Sequence, residues 1–250
     1  MLRRGAIALA IGWIGSGLGC GRVAFEVRSD AGGDDAASDA APARIAYVAP
    51  FVQRSPGGGP TDAFRAQAHA AGNAVVIQVS CAGPAVPTGV SVSAPGWTFT
   101  QLGPITASTQ SSERSATFGA IAPDAVRTAV SVSWTGSACG SSKNHLGDEF
   151  AMTDPAGGMI TFDGVSATEG TGDCIGSVRS GHAGDVVWAA CNSQGSVRAT
   201  GAGFTKGADD GVGDWAEYRI TGDPVGTVEA VEFTNDNVGY VLSMVTLKPQ

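Results

Sequence analysis

Residues 73–81 read NAVVIQVSC, and within them only Gln78 and Ser80 interrupt a run of Val75, Val76, Ile77 and Val79. The run is short, rich in β-branched residues, and closed by glycine at Gly72 and Gly83. Those features describe a strand, and apolarity on both sides is what a central strand requires. Residues 184–191 (GDVVWAAC) and 239–247 (GYVLSMVTL) have the same character.

Around these runs the pattern changes to alternation. VSVSW sets Val130, Val132 and Trp134 inward with Ser131 and Ser133 outward; WTFT sets Trp97 and Phe99 against Thr98 and Thr100. AEYRIT sets Ala216, Tyr218 and Ile220 against Glu217, Arg219 and Thr221. AFRAQAHA places Phe64, Ala66, Ala68 and Ala70 on one side and Arg65, Gln67 and His69 on the other; a short helix from Thr61 to Gly72 is the alternative, and the period of two fits better. With 37 glycines punctuating the gaps, the reading is all-β: a two-layer antiparallel β-sandwich over residues 44–250, taken as one domain because no second linker interrupts it.

Four cysteines fall inside that domain. Spacing favours Cys81 with Cys139 and Cys174 with Cys191: the first pair ends two buried strands, and the second flanks an expected strand–turn–strand hairpin through SGHAG. Zinc ligation is the rival reading, but no CxxC occurs and the histidines share no spacing with the cysteines.

The beginning of the chain speaks to compartment. Arg3 and Arg4 precede an apolar stretch too short to span a bilayer, followed by small residues around Cys20, the layout of an export signal over residues 1–19. The GLGC at residues 17–20 resembles the lipobox of bacterial lipoproteins, with Gly17 where leucine is usual and Leu18 one place late. The resemblance implies a lipidated Cys20 and a protein anchored to the bacterial envelope, at the outer membrane or cell surface; plain secretion is the alternative. Residues 20–43, rich in Ala, Gly, Ser and Asp, offer little to bury and read as a disordered spacer. A net charge of −8 argues against nucleic acid as a partner.

The succession TDAFRAQAHAAGNAVVIQVSC, GVSVSAPGWTFTQLGPI, SATFGAIAPDAVRTAVSVSWTG, GDVVWAAC, DWAEYRI and GYVLSMVTLKP resembles a module recurring in bacterial secreted and surface proteins. It implies a jelly-roll-like or concanavalin-like sandwich, a frame used by carbohydrate-binding modules, adhesive domains and some glycosidases. Ala94, Pro95 and Trp97 replace the polar residues usual in that module's hairpin.

Chemistry is sparse. The chain has no HExxH, GxSxG or Walker loop. His145 lies near Asp148 and Glu149 in sequence, and His182 near Asp185, but no activated nucleophile accompanies them. Asp209, Asp210 and Asp214 in GADDGVGDW suit calcium, with an acidic surface turn as the alternative. Trp134 and Trp188 read as core, whereas Trp97 and Trp215, each beside a turn, are candidate sugar-stacking rings. The expectation is a lipid-anchored, non-catalytic surface protein that binds or scaffolds a glycan or protein ligand. A jelly-roll glycoside hydrolase using carboxylates such as Asp148, Glu149 or Asp214 is one alternative. A structural subunit assembling through sheet edges is the other.

Overall fold

The run NAVVIQVSC supplies strand β3 (Ala74–Ala82), in which every residue but the last is buried. The computed structural model describes residues 45–250 apart from 55–60, 137–138, 140–143, 155–157, 183 and 222–225; the expected export signal, Cys20 and the expected spacer to residue 43 lie outside the described residues. Among the described residues the chain is all-β, with no helix.

β3 takes its place among β1 (Ile45–Arg54), β2 (Thr61–Ala66), β4 (Gly89–Ser93), β5 (Thr100–Gln101), β6 (Thr106–Ala107), β7 (Glu113–Ile121), β8 (Thr128–Thr135) and β9 (His145–Met152). These form a large sheet ordered β1-β9-β3-β7-β5, with β6 also on β7, and a small sheet ordered β2-β8-β4. The second half contains β10 (Ile160–Thr171), β11 (Cys174–Arg179), β12 (Val186–Ser193), β13 (Val197–Ala199), β14 (Thr205–Asp209), β15 (Trp215–Ile220), β16 (Val228–Asn235) and β17 (Gly239–Pro249). Its large sheet is ordered β10-β17-β12-β15-β14 and its small sheet β11-β16-β13. The two orders are the same, β10 standing for β1, β11 for β2, β12 for β3 and so on, with β15 for β7 and β17 for β9. First and last strands are neighbours and the chain winds between two sheets, the jelly-roll arrangement, here present twice.

Three cores hold the four sheets in one stack. Phe64, Ile77, Phe118, Val130 and Trp134 fill the first sandwich, and Val187, Val231, Phe233, Leu242 and Met244 fill the second. Between the two large sheets lies a third core of Val76, Leu146, Phe150, Trp188, Val245 and Leu247. β3, β12 and β17 are apolar on both sides because each belongs to a sheet covered on both faces. The small sheets are covered on one face, and β16 alternates without a break between exposed and buried positions.

Two sequence expectations change. Of WTFT only Thr100 belongs to a strand, as the first residue of β5, and Trp97, Thr98 and Phe99 lie ahead of it. In β15, Glu217 is fully buried and Ile220 is 46% exposed, because the face expected to meet water is covered by the second small sheet. Ala216 and Tyr218 do face a core, the one between the large sheets.

Polar groups cross the central interface as well. Gln78 donates through Nε2 to the Ala190 carbonyl (3.1 Å) and to Ser243 Oγ (2.9 Å). Asp148 accepts from Trp188 Nε1 (2.8 Å), the Ala208 N–H (2.9 Å) and the Tyr47 hydroxyl (3.3 Å). Tyr47 also stacks on Tyr218 at 4.3 Å.

Candidate functional site

Both expected cysteine pairs are at bonding distance, with Cα separations of 5.4 Å for Cys81–Cys139 and 6.3 Å for Cys174–Cys191. The expected hairpin behind the second pair is absent. β11 pairs with β16 while β12 pairs with β15 and β17, so Cys174–Cys191 links a small sheet to a large one across the sandwich core. Cys81, on β3, is likewise joined to Cys139, which follows β8 of the facing sheet.

The candidate ligand residues are drawn into the framework. Trp97 is only 8% exposed, its ring between Phe51 and Phe99. Trp215 is half-buried beneath the Lys206 ammonium, 3.7 Å from the ring centre, and Asp209 holds that ammonium at 2.5 Å. Asp210 caps the following turn, accepting N–H groups from Val212, Gly213 and Asp214. Asp214 points inward, 3% exposed, to Asn144, Asn192 Nδ2 (2.9 Å) and the Ser193 N–H (2.9 Å). Burial holds its carboxyl well above the ordinary range, and the Asp210 charge adds to the effect. Asp209 and Asp210 thus cap the same turn while the Asp214 side chain enters the interior, and neither tryptophan offers an open ring face.

Two of the three histidines find partners that sequence proximity did not suggest. His145 is buried, with Nε2 3.2 Å from Asp62 of β2 and Nδ1 2.8 Å from the Asn144 carbonyl. Glu149 is buried instead against His69: it accepts the His69 N–H (2.8 Å), lies 2.8 Å from His69 Nδ1, and accepts Asn73 Nδ2 (2.5 Å). Asp148, Glu149 and Asp214, weighed as glycosidase carboxylates, are all inside the fold rather than on opposite walls of a cleft.

An open groove of ≈ 650 Å³ lies where the end of β1 passes β2, within the size range of small-ligand sites. Phe51, Val52 and Phe64 contribute an apolar part, and Gln53, Arg54, Arg65 and Arg127 a polar one. Strand register explains the arginine cluster. Arg65 stands opposite Ala129, and Arg127 is two residues before Ala129, just ahead of β8, so both arginines come to the groove at the same end of the β2–β8 pair. Like charges so placed repel across the strands. Arg54 Nε is 3.8 Å from Asp62 Oδ2, whereas Arg65 and Arg127 have no carboxylate partner among the described residues. Among the groove's lining residues the ionised side chains are all cationic, in a chain of net charge −8. The site can therefore hold an anion beside an apolar surface. Sequence reasoning placed Arg65 outward but had no signal for Arg54 and Arg127, which only the β1–β2–β8 geometry brings to it.

No family model, curated protein or solved structure matches this chain.

Proposed function

We propose that this protein is an exported, lipid-anchored, non-catalytic binding protein, and that its first sandwich takes an anionic ligand in the Arg54–Arg65–Arg127 groove. The groove carries the reading: two guanidinium groups without carboxylate partners among the described residues line it, and its ionised side chains are all cationic. Guanidinium forks match carboxylates bidentately, and two of them in one groove suit a polymer that carries carboxylates in series. An acidic glycan, bearing uronate groups, presents carboxylates in that way. The test is calorimetric titration of the chain with a polyuronate and with a neutral glucan. The polyuronate should bind and weaken as salt rises, and Arg65→Ala and Arg127→Ala should each weaken it about tenfold or more. Equal binding of the neutral glucan, or unchanged binding in the double variant, would sink the groove reading.

The anchor is tested separately. Cys20→Ser should move the protein from the membrane to the soluble fraction while the sandwiches stay folded. A variant that still sediments with membranes removes lipidation from the account.

A further inference from the structure

The duplicated fold contains a duplicated loop. In the first sandwich HAAGN (residues 69–73) joins β2 to β3; in the second HAGD (182–185) joins β11 to β12. Gly72 and Gly184 share a positive φ, 86° and 88°. Their N–H groups donate to Ala122 and Thr221 carbonyls, both at 2.9 Å, and those residues donate back to Asn73 and Asp185 carbonyls, both at 2.8 Å. These two hydrogen bonds recur at matching places, although the first loop is one residue longer, so the side chains held there can be compared.

In the first loop Glu149 is the acceptor, and both its oxygens are occupied by His69 and Asn73. In the second, Asp185 takes that role: Oδ2 accepts the N–H groups of Gly181 and His182, both at 2.8 Å. Its Oδ1 has no hydrogen-bond partner although the side chain is fully buried. That oxygen is 4.0 Å from His182 Nδ1. A second carboxylate faces the same space. Asp163 lies in a bulge of β10, where the pairing skips from Phe162 to Val165, and the added residue aims its side chain at the loop. One oxygen of Asp163 is held by Lys248 Nζ at 3.0 Å. A ligand atom from each of Asp163, His182 and Asp185 lies within 4.8 Å of the others.

A buried oxygen without a donor, facing another carboxylate, calls for a cation. We infer that Asp163, His182 and Asp185 bind one divalent transition-metal ion of the zinc class. Two carboxylates and an imidazole match that class, while calcium takes six to eight oxygens that this loop does not supply. Ligand atoms around such an ion sit about 3–3.5 Å apart, so the three close by about 1 Å. Exposed His182 and Asp163 make that movement through their side-chain torsions, and Asp185 stays fixed by the loop N–H groups.

The full chain, without a histidine tag and stripped by chelator, is titrated with zinc, manganese, calcium and magnesium chlorides, following heat of binding and melting temperature. One equivalent of zinc should bind and raise the melting temperature, and chelator should reverse the rise. Asp163→Asn, His182→Ala and Asp185→Asn should each weaken binding at least about tenfold, and His69→Ala, in the matching loop, should leave it unchanged. If Asp185→Asn fails to fold, the two exposed positions decide the matter. The inference is overturned by no stoichiometric zinc uptake, by an adventitious ion only whose binding survives Asp163→Asn and His182→Ala, by loss in His69→Ala, or by preference for calcium.

Discussion

Serine in place of Cys81 and Cys139 is expected to cost about 4 kcal/mol of stability, and in place of Cys174 and Cys191 about 3 kcal/mol. The sequence separations of 58 and 17 residues set those figures through the loop-closure entropy each link removes from the unfolded chain. Against a typical net stability of roughly 5–15 kcal/mol, losing both leaves the fold marginal. The placement of the links adds a reason for concern. Each fastens a three-stranded outer sheet, covered on one face, to an inner sheet buried on both. Urea unfolding of each double variant measures the effect, and non-reducing peptide mapping checks the pairing. Linked peptides joining Cys81 to Cys174, or midpoints unmoved by reduction, would contradict it.

The strands were legible because a period of two, interrupted by glycine and proline, is a local signal. Val130, Val132 and Trp134 are buried and Ser131 exposed, as read from VSVSW alone. The doubling was not drawn from the sequence, although β3, β12 and β17 carried its mark. In a simple sandwich the outer face of a central strand meets water and turns polar; strands apolar on both faces imply a further layer. HAAGN and HAGD are the duplication's clearest residue-level trace, but four or five small residues are too little to stand out where glycine and alanine abound. Site residues fared worse because sites depend on register. Asp163 reaches His182 only through a bulge, Arg54 and Arg127 reach Arg65 only through strand packing, and His145 pairs with Asp62 across 83 positions rather than with its near neighbours. Trp97 illustrates the opposite error. A Pro-Gly turn predicts exposure of the chain, and yet the ring folds back into the core.

The chain should be most stable near pH 5 and lose stability as the solution becomes alkaline, the reverse of a protein whose carboxylates are all ion-paired. Burial pushes Asp148 up to about 7, even though three donors favour its charged form. Burial also pushes Glu217 up to about 8 and Glu113 up to about 7. Each folded value exceeds the unfolded one, near 4, so the folded state keeps a proton that the unfolded state releases. The resulting stabilisation is complete below about pH 4 and is lost as pH rises through the folded values. For Asp148 a rise of about three pH units corresponds to on the order of 4 kcal/mol at 1.36 kcal/mol per unit. Asp62 acts in the other direction at the acid end. Its burial disfavours the charge, but the His145 ring at 3.2 Å and the nearby Arg54 hold its carboxyl below the ordinary value, so its contribution disappears as pH falls below about 4. Between these limits lies the optimum. Urea midpoints at pH 4.5, 6, 7.5 and 9 should fall across the series, and Asp148→Asn should flatten that fall. The asparagine variant should also be less stable at pH 5, because its amide N–H₂ must face either the Trp188 or the Ala208 N–H donor. Midpoints that rise from pH 5 to 8, or an unaltered slope in Asp148→Asn, would show that the carboxylate buried between the large sheets does not keep its proton in the folded protein.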